Sequence, residues 1–260
     1  RRGPKYFNSL DTSAYANPTG VKTYLAPDGS SSNDGLSAEN PKDNIHDCLA
    51  ITNCSKIICA PGYYDCTTFF ASQSGIAIPR NCAIVCEDGR AEFAMADSTY
   101  VWSKTAGRTN IYQANINRPY LVYDRTNLDA DGMPIPLTRV ADLATCDSTP
   151  GSWFWDETPD LLYVHTFDAR EPSASSSDIC AMRSGLYGFR FTGNFNLYLK
   201  NIDVYGGENG GLLYDTTDGT SADIVTENCK FGYSEGNGMS LFDVRLAYSK
   251  NCISRYNNLD

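Results

Sequence analysis

The clearest pattern in the chain is a strand-like alternation that ends, each time, on an asparagine. Leu197–Val204 (LYLKNIDV), Ile224–Phe231 (IVTENCKF) and Ala247–Ser254 (AYSKNCIS) align on Asn201, Asn228 and Asn251, which are 27 and 23 residues apart. An earlier pair, Ile57–Gly62 (IICAPG) and Ile84–Gly89 (IVCEDG), also recurs after 27 residues. Recurrence of strand segments at about 20 to 30 residues marks a stack of similar circuits, each burying its apolar face on the next. Alternate residues of a strand share a face, so Leu197, Ile224 and Ala247 should form one inward column, with Leu199, Thr226 and Ser249 in the next. After the bend, Ile202, Cys229 and Cys252 continue inward, followed by Val204, Phe231 and Ser254. Asparagine tolerates left-handed backbone, and its amide can bond the neighbouring circuit, so a vertical asparagine ladder should mark the bend.

Outward positions repeat as well. Lys200, Glu227 and Lys250 share a column, and Asp203 precedes Lys230, so strands about 4.8 Å apart should set opposite charges side by side. We read these charges as a solvated ion-pair ladder ahead of a catalytic Glu227 or Lys230, because exposed pairs of this kind are common and individually weak.

Before these repeats, Tyr24–Ser37 (YLAPDGSSSNDGLS), Asn40-Pro41, Ile45–Ile51 and Ile57–Tyr64 (IICAPGYY) follow one another. Ile45, Cys48, Leu49 and Ile51 make a helical apolar stripe, which Asp43 or Asn44 can cap. This order resembles the opening module of the right-handed parallel β-helix (pectate-lyase-like) superfamily, in particular phage tail spikes and polysaccharide-degrading members. The resemblance covers residues 22–90 closely and 190–260 by circuit pattern. It implies an all-β chain, a right-handed parallel β-helix with an N-terminal capping helix and a β-hairpin-rich insertion. The expected divisions are an N-terminal extension (1–21), the opening module with its first coils (22–99), the insertion (100–180), and coils expected to continue beyond the chain end (181–260).

The insertion is expected because residues 100–180 lose the circuit pattern. Thr138–Val140, Gly151–Asp156 (GSWFWD) and Leu161–Phe167 (LLYVHTF) read as strands, the last two joined by the turn Glu157–Asp160 into a hairpin. The Ser173–Ser177 run reads as a loop leading back.

Composition narrows the function classes. A length of 260 residues with 42% hydrophobic content supports a sizeable core. The net charge of −10 argues against nucleic acid, which needs clustered Lys and Arg. No apolar run reaches the roughly 20 residues that cross a bilayer, so no membrane insertion is expected. The ten cysteines recur in the slot after asparagine, at Cys54, Cys82, Cys229 and Cys252, and read as mostly free, buried thiols. No CxxC pair occurs and the only histidines are His46 and His165, which argues against zinc. Both natural ends are expected to lie outside this sequence, with something beyond Asp260 covering the last coil.

Three groups of residues could carry chemistry. Trp153, Trp155 and Tyr163 could form a platform for sugar rings, with packing against the body beneath as the competing reading. Glycoside cleavage needs two carboxylates, and among the loop acids Glu208, Asp215, Asp218, Glu235 and Asp243 the equivalent positions of Glu208 and Glu235 make them the best pair. In a lyase, Arg245, Arg255 or Arg190 could act as base while a cation neutralises a uronate, and Arg245 is carried forward as the candidate. Asp28, Asn33 and Asp34 could hold calcium, although an Asx-rich turn explains them as well; no other cofactor is expected.

The resulting expectation is a polysaccharide-engaging protein, a possible polysaccharide lyase or glycoside hydrolase. A tail-spike type on a phage virion leads, acting as a homotrimer or larger assembly. The alternatives are a secreted bacterial lyase or hydrolase, located extracellularly, and a non-enzymatic appendage or adhesin segment.

Overall fold

The computed structural model describes residues 10–66, 76–97, 100–173, 178–183, 185, 188–208, 210–215 and 222–258. Most of the regular structure is β. Three parallel sheets organise it, and successive strands visit them in the same rotation. Sheet 1 runs, in spatial order, Val21–Leu25, Cys54–Cys59, Cys82–Val85, Leu197–Lys200, Asp223–Glu227 and Leu246–Lys250. Sheet 2 runs Gly62–Asp65, Ala91–Ala94, Ile202–Tyr205, Lys230–Gly232 and Ile253–Arg255. Sheet 3 runs Ile76–Ala77, Phe189–Thr192, Gly210–Asp215 and Asn237–Phe242.

The register is the one the repeats predict. Leu197 pairs with Ile224 and Ile224 with Ala247, while Ile57 pairs with Ile84. Inward columns therefore stack like on like: Ile57, Ile84 and Leu199 are fully buried, and Tyr64 lies flat on Phe93 at 4.6 Å between ring centres. Each such side chain contributes about 1.5–3 kcal/mol of burial. Toward Asp260 the columns become small and polar. Thr226 and Ser249 meet through their hydroxyls at 2.8 Å, and Ala247 is exposed.

Asn53, Asn201, Asn228 and Asn251 all adopt left-handed backbone, with φ between 53° and 64°. The Asn228 amide donates to Asn201 Oδ1 at 2.6 Å, and the Asn201 amide donates to the Cys86 carbonyl at 2.6 Å. A second polar row, which the sequence reading did not identify, runs where sheet 3 turns into sheet 1. Asn81 Oδ1 accepts from the Asn196 backbone N–H and Asn196 Oδ1 from that of Asp223, both at 2.9 Å.

The predicted helix forms as Ile45–Ala50, with Asn44 as its cap accepting from the Asp47 N–H at 2.8 Å. Ile45, Cys48 and Leu49 close the apolar interior at that end. All ten cysteines are free thiols, nine of them buried.

Between Ala94 and Phe189 the chain leaves the parallel sheets. Two sheets with mainly antiparallel pairing form there, one centred on Pro119–Leu128 and Ile179–Arg183, the other on Ser152–Asp156 and Leu161–His165. The predicted hairpin is the latter pair; of the Ser173–Ser177 loop, residues 174–177 lie outside the described residues. Thr138–Arg139 joins the hairpin sheet by parallel pairing to Ser152–Trp153. Trp102, Tyr112, Val122, Trp153 and Leu162 give the insertion its own core. It rests on the outer face of sheet 2 through Tyr123, Met133, Met182, Tyr205 and Tyr233. The parallel stack closes behind it, since Cys82–Val85 pairs directly with Leu197–Lys200.

The N-terminal segment covers part of the outer face of sheet 1. Leu10, Tyr15 and Ala16 pack over Val85, Tyr198 and Val225. Thr12 donates to Glu227 at 3.0 Å, and Tyr15 to Asp223 at 2.7 Å.

Candidate functional site

The outer face of sheet 2 is where charge collects. Glu92, Asp203 and Lys230 occupy one column, because Asp203 registers with Glu92 on one side and Lys230 on the other. The insertion overhangs this column, leaving an open cleft of about 240 Å³ lined by Arg90, Glu92, Arg125, Asp203, Tyr205 and Lys230.

Each carboxylate has its own guanidinium. Arg90 grips Asp203 through Nε at 2.8 Å and through Nη2, whose other bond is to the Asn228 carbonyl at 2.8 Å. Arg125, from the insertion, reaches both oxygens of Glu92 at 3.1 and 3.4 Å, with its guanidinium over the Tyr63 ring at 4.3 Å. Burial pushes the Glu92 carboxyl above its ordinary value, and the neighbouring Asp203 charge adds to the rise against the pull of Arg125. Lys230 donates to the Gly132 carbonyl at 2.8 Å, tying the hairpin turn of the insertion across the cleft.

The charge columns thus have the expected register but different partners. Asp203 pairs with Arg90 rather than Lys230, because a forked guanidinium matches a carboxylate and the insertion offers Lys230 a carbonyl. Lys200, Glu227 and Lys250 are in register, yet no ion pair joins them among the described residues. Glu227 instead accepts from Thr12 and from Tyr198 at 2.6 Å.

Of the residues singled out from sequence, Glu208 and Glu235 do fall on neighbouring circuits. The Glu235 N–H donates to the Gly207 carbonyl at 3.0 Å, Glu208 is exposed, and Glu235 borders a recess of about 330 Å³ with Tyr120 and Tyr256. Gly207 has φ 113°, and a Cβ there would meet the backbone of Gly188 at 2.6 Å. Its absence of a side chain lets the returning insertion pass against this turn. Asp218 lies outside the described residues.

Arg245 sits elsewhere, on the sheet 1 side. It holds Asp223 with two bonds of 2.8 and 2.6 Å, and this pairing raises its pKa above the ordinary arginine value. A base must give up its proton, so that pairing argues against Arg245 in the role. Arg255 is likewise committed, to Asp129 and Asp131.

The three aromatic candidates do not share one face. Trp153 is buried in the insertion core and donates Nε1 to the Leu137 carbonyl at 3.1 Å, and half-buried Trp155 packs on the same side. Tyr163 lies directly across from Phe154 and stacks with it on the opposite face. Alternation along the hairpin separates them, so a single platform of all three does not form.

In the Asx-rich loop, Asn33 donates to the Pro41 carbonyl at 2.8 Å and Asp34 accepts from the Leu36 N–H at 2.9 Å. Those bonds close the loop on itself; no group of three or more His, Cys, Asp or Glu side chains that could hold a metal ion occurs among the described residues. His165 is buried, its Nδ1 2.9 Å from the Cys146 carbonyl.

Glu92 and Arg90 escaped the sequence reading because 111 residues separate Glu92 from Asp203. Aligning Cys82–Val85 with Leu197–Lys200 across the insertion is the signal that would have joined them.

The fold and the cleft define a class: stacked parallel strands with a polar, two-carboxylate cleft roofed by an antiparallel excursion. No protein-family model matches the sequence, and no curated protein matches it. Among solved structures, one described as a glycoside hydrolase is similar at a TM-score of 0.50 and 9% identity, covering 85% of this chain and 67% of its own. Another, described as the complex structure of XylC with xylose, has a TM-score of 0.48 and 10% identity, covering 92% of this chain and 62% of its own. At such identity the first likeness is one of fold alone.

Proposed function

We propose that the three parallel sheets are the walls of a right-handed parallel β-helix whose outer face over sheet 2 binds polysaccharide and hydrolyses it with Glu92 and Asp203. The observation that carries this reading is the direct register of two carboxylates in an open cleft, with different environments. Burial favours a protonated Glu92, the form that can donate to a glycosidic oxygen. Asp203, held in the fork of Arg90 on the next strand, is the carboxylate left to face the sugar carbon. Two carboxylates in unlike surroundings can divide the proton-donating and carbon-facing roles of one cleavage reaction. In this mechanism Arg125 releases one Glu92 oxygen as the substrate enters. The described fold neighbour is itself named a glycoside hydrolase, which fits the chemistry.

The same reading puts the chain on a virion, as a trimeric tail-spike component, or outside the cell, as a secreted protein. Ten reduced thiols suit the former, assembled in a reducing cytosol. Glu208 and Glu235 remain the second candidate pair, favoured by the recess beside Glu235.

The test is release of reducing ends from capsule, O-antigen and pectin-like polymers. Glu92→Gln and Asp203→Asn should each lower cleavage by at least about 10²-fold while polymer still binds. Cleavage that persists in both variants but disappears in Glu235→Gln would move the centre to the second pair, and binding without cleavage in the unaltered chain would leave an adhesin.

A further inference from the structure

Cys229 and Cys252 stand on neighbouring circuits at equivalent positions. The flanking register fixes this: Lys230 pairs with Ile253, and the Ile253 N–H donates to the Cys229 carbonyl at 3.0 Å. Neighbouring parallel strands are about 4.8 Å apart, and disulfides bridge Cα atoms about 4.4–6.8 Å apart. Their Cβ atoms, directed the same way from adjacent strands, start about one strand spacing apart, roughly 4.8 Å, just beyond the roughly 3.5–4.5 Å that a relaxed bridge prefers. Small closure of the two strands makes the bond, and the residual strain keeps it reducible.

The two thiols differ in a useful way. Cys229 is fully buried, whereas Cys252 is partly exposed. Cys252 Sγ lies 3.4 Å from the Thr226 hydroxyl. Hydrogen bonding from the Cys229 thiol pulls the Cys252 thiol below its ordinary value, against burial, with Thr226 adding to the effect. Every other cysteine is pushed upward, chiefly by burial. An internal control exists in Cys59 and Cys86, which share a register position next to the Ile58–Val85 pair but are both buried.

We propose that Cys229 and Cys252 form a reversible disulfide site that fastens two circuits when the protein meets an oxidising small-molecule disulfide. Cys252 attacks as the thiolate on one sulfur of that disulfide, expelling one thiolate and leaving a mixed disulfide. Cys229 Sγ then attacks the Cys252 sulfur of the mixed disulfide, breaking its bond to the small thiol, and the Cys229 proton passes to that departing thiolate, so two protein thiols are oxidised and one external disulfide is reduced. A protein folded with reduced thiols would thereby gain a staple only after leaving a reducing compartment.

The experiment exposes the folded 260-residue chain to oxidised glutathione, quenches with alkylating reagent, and maps non-reduced peptides by mass spectrometry. The expected product joins Cys229 to Cys252 while Cys59 and Cys86 stay reduced, with a melting temperature raised by a few degrees and restored by dithiothreitol. Cys229→Ser should stop at a glutathione adduct on Cys252 and show no rise. A stable adduct on Cys252 in the unaltered chain, no reaction at all, or equal oxidation of Cys59 and Cys86 would each overturn the assignment.

Discussion

Replacing Asn201 tests the bend ladder quantitatively. Its side chain donates to the Cys86 carbonyl and accepts from Asn228, both at 2.6 Å, on a backbone with φ 57°. Alanine removes two hydrogen bonds, each worth about 1 kcal/mol net, and moves a non-glycine residue without a local polar group into left-handed backbone, at about 1–2 kcal/mol. The expected loss for Asn201→Ala is therefore about 3–4 kcal/mol. Asn201→Gly loses the same bonds but escapes the backbone term, so its loss should be about 2 kcal/mol. Urea unfolding followed by far-ultraviolet circular dichroism reads both, because the three tryptophans, Trp102, Trp153 and Trp155, all lie in the insertion and would report it rather than the ladder. Equal losses in the two variants would show that the left-handed backbone carries no cost here. A loss below about 0.5 kcal/mol in both would refute the ladder as a stabilising device.

Trp153→Ala should cost about 3–5 kcal/mol through its buried ring, and Trp153→Phe about 1 kcal/mol through the lost bond to Leu137; thermal unfolding of the insertion measures both, and unchanged stability would return the indole to a surface role. The N-terminal segment should detach in acid. Hydrogen bonding from Arg245 holds the Asp223 carboxyl below its ordinary value of 3.8, Tyr15 adds to this and burial opposes it. Because the folded value lies below the unfolded one, this contribution is full above the unfolded value and fades as pH falls through the folded one. Proteolysis of residues 10–17 by an acid-tolerant protease should therefore accelerate below that range, and Arg245→Ala should move the onset to higher pH; an unmoved onset would remove Asp223 from the contact.

What the sequence determined by itself was periodic. Alternation, recurring asparagines and the apolar stripe of Ile45–Ile51 each need only local chemistry plus one repeat, and they specified the register of Leu197–Ser254, the left-handed bends and the short helix with its Asn44 cap. Tertiary structure decided the partners. Arg90 meets Asp203, and Glu92 lies beside it, only because the chain closes its parallel stack behind a long excursion; no pattern of period two or 27 spans that distance. Arg125 reaches Glu92, and Lys230 reaches Gly132, only because the insertion folds back over sheet 2. Periodicity fixes which residues share a column, since backbone geometry repeats. Which charge a carboxylate finds, and how far its proton affinity moves, depends on what non-repeating chain is laid over that column.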